Sequence, residues 1–399
     1  MTNRVASLGL LGAVAAMVVG AGAQAALPVE VVQSVPIETN LLVPSIRTTQ
    51  EVWLEMINSA QTSIDLEEFY VYSKAGEALE PVLNALTAAA GRGVQIRLIV
   101  DSQFYKTYPD EPNALAQVPN IQVKTIDFSA SDGVQHSKYF VVDGNQTFLG
   151  SANFDWLALT HIHETGLHFT DPAISNELES VFNLDWGNGV AIGSPSSSSV
   201  NAVMSKMTDG FARLFDFESD LPGFTLYASP TNDVPGGVPN TLPALLNLIA
   251  SAQSSIQVQM YQYSTEVYKS SQHWTALDDA LRAAAARGVH VQLMVDHASV
   301  KSGGKDLAGL ARLSNVEVRV VTIPQWSGGV IPFSRLIHSK YMIVDGDQGW
   351  VGTENWSGSY FTGCRNVGLI FSDQTTVSQL GLVFNQVWTS GYTSTNYTN

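Results

Sequence analysis

Four stretches of this chain recur in the same order. Ser59-Ala60-Gln61-Thr62-Ser63-Ile64 returns 192 residues later as Ser251-Ala252-Gln253-Ser254-Ser255-Ile256. Ala88-Ala89-Ala90-Gly91-Arg92-Gly93-Val94 returns after 195 as Ala283-Ala284-Ala285-Ala286-Arg287-Gly288-Val289. His136-Ser137-Lys138-Tyr139 returns after 202 as His338-Ser339-Lys340-Tyr341, and Val181-Phe182-Asn183 with Trp186 returns after 202 as Val383-Phe384-Asn385 with Trp388. An offset that grows by small insertions and then holds constant is the signature of two homologous halves. The expected division is residues 26–192 for the first half, 193–225 for a connecting segment of linker composition opening at Gly193-Ser194-Pro195, and 226–399 for the second.

Each half alternates β-branched runs with helical patterns. Ile64 to Tyr70 and Ile256 to Tyr261 read as strands. Leu79, Val82, Leu83, Leu86 and Ala90 fall at helical spacing, and Gly91-Arg92-Gly93 stops that helix. Val94 to Val100 then reads as a buried strand, followed by Ile121 to Ile126 and Tyr139 to Val142. The order predicts an α/β fold in which each half is a mixed β-sheet flanked by helices, the halves packing as a pseudo-twofold around one shared site.

Composition narrows the function classes. Lys plus Arg number 20 against 36 Asp plus Glu, a net charge of −16, which excludes a basic coat for nonspecific polyanion binding. An enzyme acting on phosphates is not excluded, because a few cations converging in a cleft reverse the local field. The single cysteine, Cys364, rules out an intramolecular disulfide and a thiolate zinc cluster. The uncharged run Val5 to Ala23 after Arg4, followed by Ala23-Gln24-Ala25, reads as a signal peptide cleaved before Ala26. Its Ala and Gly content argues against the rival reading as a membrane anchor. The expected location is secreted, periplasmic or lumenal.

An apolar core accounts for repeated Val and Ile, not for repeated His, Lys and Asn at fixed spacing. The first half reads His136-x-Lys138, Asp143, then Gly150-Ser151-Ala152-Asn153; the second reads His338-x-Lys340, Asp345, then Gly352-Thr353-Glu354-Asn355. Alternate residues of an extended strand share a face, so each His and its Lys project together. Two facing copies would surround one cavity with imidazoles, ammonium groups, hydroxyls (Ser151, Thr353) and amides (Asn153, Asn355). That set suits a phosphodiester: one imidazole attacks phosphorus, the other protonates the departing oxygen, and the lysines and amides hold the nonbridging oxygens. No cofactor and no metal is expected. Asp143 and Asp345 each precede a glycine and read as hairpin-turn residues with a structural role.

The paired His-x-Lys-x4-Asp signatures with Gly-Ser/Thr-x-Asn resemble the phospholipase D superfamily over nearly the whole expected mature chain. Within it, Gly150-Ser151-Ala152-Asn153-Phe154-Asp155-Trp156, the run Gly352 to Phe361 and the run His273 to Arg282 are similar to the lysosomal single-strand 5′ exonucleases. That resemblance implies a metal-independent phosphodiesterase acting through a phosphohistidine on single-stranded DNA or RNA with a 5′-hydroxyl end, preferring acid conditions. Some relatives of that branch are linked to phosphatidyl transfer, so a phospholipase D or phosphatidyltransferase acting on phospholipid is the alternative. A noncatalytic envelope or scaffold protein of the same fold is a third reading, against which the intact His and Lys of both halves weigh. The lysosomal enzymes carry disulfides, which this chain lacks the cysteines to form.

The resemblance also suggests how the halves differ. Glu164 lies 28 residues after His136, where small nuclease relatives place a carboxylate behind the active ring; the matching residue after His338 is Asn366. A carboxylate raises imidazole basicity, so the expectation is His136 as nucleophile and His338 as general acid. Tyr139 and Tyr341 alternate away from the His-Lys face and read as core. His161-Ile162-His163, without cysteine partners or a repeat, reads as hydrogen-bonded or exposed histidines rather than a metal site. Phe104, Tyr105 and Tyr108 near Lys106, and Trp326 and Trp356, could each stack on a base or simply pack. No base-binding residue is assigned from the sequence.

Overall fold

The computed structural model describes residues 28–192, 219, 221–267 and 272–398. The expected signal peptide, its cleavage point before Ala26 and the Ser-rich run 194–199 lie outside the described residues. Among the described residues no helix is long and apolar enough to cross a membrane.

The first half contributes β1 (Val29–Ser34), β2 (Arg47–Thr48), β3 (Ser63–Glu68), β4 (Val71–Tyr72), β5 (Gln95–Asp101), β6 (Ile121–Ile126), β7 (Tyr139–Val142), β8 (Gln146–Gly150), β9 (Phe154–Asp155), β10 (Glu164–Thr170) and β11 (Val190–Ala191). The second contributes β12 (Phe224–Ser229), β13 (Ser255–Met260), β14 (His290–Asp296), β15 (Val316–Val321), β16 (Tyr341–Val344), β17 (Gln348–Gly352), β18 (Asn366–Phe371) and β19 (Thr393–Ser394). The first sheet runs β11-β6-β5-β3-β7-β8-β10-β1-β2 and the second β19-β15-β14-β13-β16-β17-β18-β12. The order is the same except that β2, at the edge of the first sheet, has no counterpart. In both, the β3–β5–β6 and β13–β14–β15 neighbours are parallel, and the strands from β7 and β16 outward are antiparallel apart from the parallel β1–β2 pair at the edge of the first sheet. β12 begins two residues inside the segment expected to connect the halves.

Alternation along the central strands divides the core. Tyr139 and Val141 of β7 join Tyr341 and Ile343 of β16 in one cluster with Leu178, Val181 and Phe182 of the helix Pro172–Asn188 and Leu380, Val383 and Phe384 of the helix Gln374–Trp388. This cluster is shared by both halves and joins them. Phe140 and Val142 face the other way, onto the helices Thr49–Ser59 and Glu80–Gly91, and Met342 and Val344 face the corresponding outer layer of the second half. Burying such contiguous faces supplies the main driving force for folding, about 25 cal/mol per Å² of apolar surface.

Two of the four repeated stretches form one corner built twice. The helices Thr49–Ser59 and Thr241–Ser251 end at Ala60 and Ala252, leaving carbonyls without intrahelical partners. Arg92 Nη2 donates to the carbonyls of Ile57, Asn58 and Ala60 at 3.2–3.3 Å, and Arg287 Nη2 to those of Ile249, Ala250 and Ala252. Gly93 and Gly288 follow at φ +102° and +95°, a conformation that excludes most L-residues. The Asp143 carboxylate accepts from the backbone of Gln61, Thr62 and Ser63, and Asp345 from Gln253, Ser254 and Ser255. Asp143-Gly144 and Asp345-Gly346 also adopt positive φ at both residues, closing the β7–β8 and β16–β17 turns as their Asp-Gly pairs lead one to expect.

Candidate functional site

Each His-x-Lys element leads directly into the central strand of its half, Lys138 preceding β7 and Lys340 preceding β16. Backbone bonds from the opposite half help to fix these elements. Gln135 bridges in parallel to Arg365, and Ile337 to His163. His136 N donates to Arg365 O at 2.9 Å and His338 N to His163 O at 2.8 Å. The residue before each histidine is held by a buried carboxylate at a strand end: Asp101 Oδ2 accepts from Gln135 N and Asp296 Oδ2 from Ile337 N, both at 2.9 Å. These two aspartates were not singled out from the sequence, although they repeat as Val100-Asp101 and Val295-Asp296 at the offset of 195.

The crossed bridges determine what stands behind each ring. Asn366 follows Arg365, and its Oδ1 accepts from His136 Nδ1 at 3.0 Å. Glu164 follows His163, and its Oε1 accepts from His338 Nδ1 at 2.9 Å, with the Ser151 carbonyl also 3.1 Å from that nitrogen. The expectation that Glu164 backs His136 is therefore corrected: Glu164 opens β10 beside the second half's histidine, and the spacing of 28 residues spans a bridge between halves. Both rings donate through Nδ1, leaving each Nε2 without a hydrogen-bond partner among the described residues.

The remaining expected site residues gather around the same pair. Lys138 Nζ donates to His136 O and Lys340 Nζ to His338 O, each at 2.5 Å, with both side chains fully buried. Phe69 lies under the Lys138 ammonium at 4.9 Å and Tyr261 under that of Lys340 at 5.5 Å. Ser151 Oγ donates to Glu164 Oε2 at 2.5 Å, and Thr353 Oγ1 to Asn366 Oδ1 at 3.0 Å. The two hydroxyls thus hold the groups that orient the rings. Asn153 Nδ2 donates to the Tyr70 hydroxyl at 3.3 Å, while the Oδ1 atoms of Asn153 and Asn355 are buried without a protein partner.

The electrostatics follow from burial. His136 and His338 are 4% and 7% exposed. Desolvation, followed by the charges of Lys138 and Lys340, holds both rings well below the usual imidazole range. Burial likewise pulls Lys340 down to about 7, with Glu164 the largest opposing influence. Burial pushes Glu164 up, while Lys340, the Ser151 hydroxyl and Lys138 pull it back; with Oε1 facing the His338 Nδ1 donor and Oε2 the Ser151 hydroxyl, both its oxygens are placed as acceptors, the geometry of an ionised carboxylate. The halves differ once more beside the lysines. The β3–β7 register, with Glu67 opposite Tyr139, places Glu68 opposite Lys138. Its carboxylate is fully buried and makes no hydrogen bond. The same register in the second half places Met260 opposite Lys340.

The other flagged residues have structural places. Tyr139 donates to Glu67 Oε2 and Tyr341 to Gln259 Oε1, both tyrosines fully buried. His163 is buried between Gln259 and Ser339, with burial lowering its pKa to about 4; His161 packs edge-on against Trp156 and Trp326. Among the described residues no group of three or more His, Cys, Asp or Glu side chains is placed to hold a metal ion. Trp356 is core, 1% exposed. Tyr105 turns to Asn113, whereas Phe104 and Tyr108 belong to a ring system that reaches His136.

Comparison with known proteins agrees with this geometry. The family described as "Cardiolipin synthase, PLD-like domain" matches twice, over residues 53–186 and 245–388, so each match holds one His-x-Lys element. Phospholipase D Z of Dictyostelium discoideum is 31% identical over 383 residues, covering 91% of this chain and 90% of that protein. The 5′-3′ exonuclease PLD4 of Homo sapiens is 30% identical over 383 residues, covering 88% and 74%. The 5′-3′ exonuclease PLD3 of Rattus norvegicus is 31% identical over 379 residues, covering 86% and 75%. Among solved structures, phosphatidylserine synthase of Haemophilus influenzae Rd KW20 superposes with a TM-score of 0.61 over 86% of this chain and 84% of that one at 13% identity, a likeness of fold. With both halves matched and both His-Lys-Asn sets brought to one buried centre, the chain belongs to the phospholipase D-like family of phosphodiesterases.

Proposed function

We propose that this phosphodiesterase is a 5′ exonuclease on single-stranded nucleic acid, with His338 as nucleophile and His136 as general acid. The observation that carries the assignment of roles is the unequal backing of the rings, a carboxylate behind His338 and a neutral amide behind His136. Glu164 accepting the Nδ1 proton makes His338 Nε2 the more basic and more nucleophilic nitrogen. This reverses the order expected from sequence spacing, by the same chemical argument applied to the observed pairing. His338 Nε2 attacks phosphorus, a P–N bond forms, the P–O bond breaks, and the leaving oxygen takes the proton from His136. Water then attacks the phosphohistidine, giving its proton to His136 as the P–N bond breaks. Lys138, Lys340, Asn153 and Asn355 carry the nonbridging oxygens; the buried, unpaired amide oxygens leave the amide N–H groups as the donors. The anionic substrate also offsets the two lysine charges that depress His136, so binding raises that ring's affinity for the proton it must deliver.

Two relatives named as 5′-3′ exonucleases support the nucleic-acid reading, as does the burial of the centre, which suits the end of a single strand. The phospholipase reading is favoured by the 31% identity to a protein named Phospholipase D Z. The N-terminal apolar run supports export. Protein in excess EDTA, offered a 3′-labelled oligonucleotide with a 5′-hydroxyl or a 5′-phosphate, is expected to shorten the 5′-hydroxyl strand stepwise. Cleavage of phosphatidylcholine vesicles with neither strand touched would replace this reading by the lipid one. Acid-free quenching and mass spectrometry should locate the phosphoryl group on His338, and its recovery on His136 would reverse the roles.

A further inference from the structure

The rings around the two histidines are distributed unevenly. His136 meets Phe69 edge-on at 5.0 Å and Tyr360 at 4.9 Å. From Phe69 a chain of rings continues outward: Phe104 at 3.9 Å, Tyr70 at 5.8 Å from Phe104 and 19° from parallel, Tyr108 stacked on Tyr70 at 4.9 Å, and Tyr72 at 4.9 Å from Tyr108. Phe69, Tyr70, Tyr72, Phe104 and Tyr108 are each only partly buried. On the other side Tyr261, the counterpart of Phe69, meets His338 at 4.8 Å. Among the described residues no further ring continues the ladder there. At the repeat offsets of Tyr70, Tyr72 and Phe104 the second half has Gln262, Ser264 and Ser299.

The duplication serves as an internal control. The second half builds the same strand order and the same His-x-Lys geometry without these rings, so the fold does not require them. An aromatic face half open to solvent on one side of a phosphodiesterase centre matches the planar, apolar faces of nucleobases. A lipid acyl chain would need a continuous aliphatic lining instead. His136 is the ring that hands its proton to the departing oxygen, so the ladder lies on the side from which the leaving strand exits.

We propose that the ladder running through Phe104 and Tyr108 is a stacking surface for the bases of the strand that departs, the first base resting nearest His136. This rests on the exonuclease reading and on His136 acting as the acid. The strand is thereby held after each cleavage in position to advance. Tyr70 also hydrogen-bonds Asn153 and Asp155, so the test uses Phe104 and Tyr108.

The experiment crosses substrate with enzyme. Wild type, Tyr108→Ala, Phe104→Leu and Tyr108→Phe are compared on a natural strand, on strands with one abasic residue either at the 5′ terminal nucleotide or at the next, departing nucleotide, and on a fully abasic strand. For wild type, an abasic departing nucleotide should lower kcat/KM about tenfold, and an abasic terminal nucleotide much less. Tyr108→Ala and Phe104→Leu should lose a similar factor on the natural strand and become indifferent to the abasic replacement. Tyr108→Phe should retain the wild-type pattern, and the fully abasic strand should be cut equally by all four. Equal base dependence in wild type and Tyr108→Ala, coupling confined to the terminal nucleotide, or loss of activity on the fully abasic strand in Tyr108→Ala and Phe104→Leu would each overturn the proposal. Failure of wild type to cut any strand would instead overturn the exonuclease reading on which it stands.

Discussion

At the scale of single residues, the difference between two otherwise matched imidazoles comes down to one carboxyl against one amide. Asn366 takes the Nδ1 proton of His136 without supplying charge, and burial beside Lys138 and Lys340 holds that ring below the ordinary imidazole range. A general acid must carry its proton in the free enzyme, so kcat/KM should fall as pH rises, with an alkaline limb below about 6.5. Asn366→Asp would place a carboxylate against His136 and raise its pKa, which should move that limb upward by about one pH unit or more. Steady-state profiles of both proteins check this, and an unmoved limb would assign it to another group. The site residues legible in the sequence were those that repeat. His136, Lys138, Asn153 and their partners stood out because apolar packing gives no reason to repeat them. The pairing of Glu164 was not legible, because spacing within one half carries no information about a contact made across the interface.

At the scale of elements, the two hairpin turns do more than reverse the chain. Asp345 binds three successive backbone N–H groups of the segment entering β13, and these bonds hold its pKa down to about 2 against the cost of its partial burial. The unfolded chain therefore takes up that proton at higher pH than the native one. The stability Asp345 confers is present above about pH 4 and is lost as pH falls toward 2. Asp345→Asn keeps the turn but removes the charge. It should lower Tm at pH 7 by a few degrees, as loss of a capping group does, and the gap from wild type should close near pH 2. Thermal melts at the two pH values decide it; a gap independent of pH would mean that the backbone, not the charge, is what Asp345 serves. Helix ends, Asp-Gly turns and strand alternation were readable in advance since each depends on neighbours in sequence. The aromatic ladder was readable only as fragments: Phe104 and Tyr108 could be named, but their alignment with Phe69 and Tyr70 depends on how a short helix folds back over the end of β3.

At the scale of the whole molecule, the halves are joined by an apolar core and by a buried ion pair. Arg365, adjacent to the residue that orients His136, reaches Asp185 on the long helix of the first half through Nε and Nη2 at 2.6 and 2.8 Å, with both residues fully buried. Asp185→Ala removes the two short bonds of a buried guanidinium, leaving it the Ser229 carbonyl at 2.7 Å and the half-exposed Asp233 at 3.5 Å, and should cost about 3 kcal/mol, read from chemical denaturation. Arg365→Met combined with Asp185→Leu should recover much of that loss, because the buried guanidinium is removed together with its bidentate partner. A double variant as unstable as the single one would show that the pair is needed for shape rather than for neutrality.

The crossed bridges have a consequence for how such a centre can evolve. In an assembly of two identical chains, a substitution behind one imidazole is made behind both, and acid and nucleophile must remain chemical twins. Joining the copies in one polypeptide releases that constraint. Glu164 and Asn366 occupy equivalent positions yet are inherited separately, so each ring can be tuned alone, and the division of labour between proton donor and attacking nitrogen becomes a heritable property.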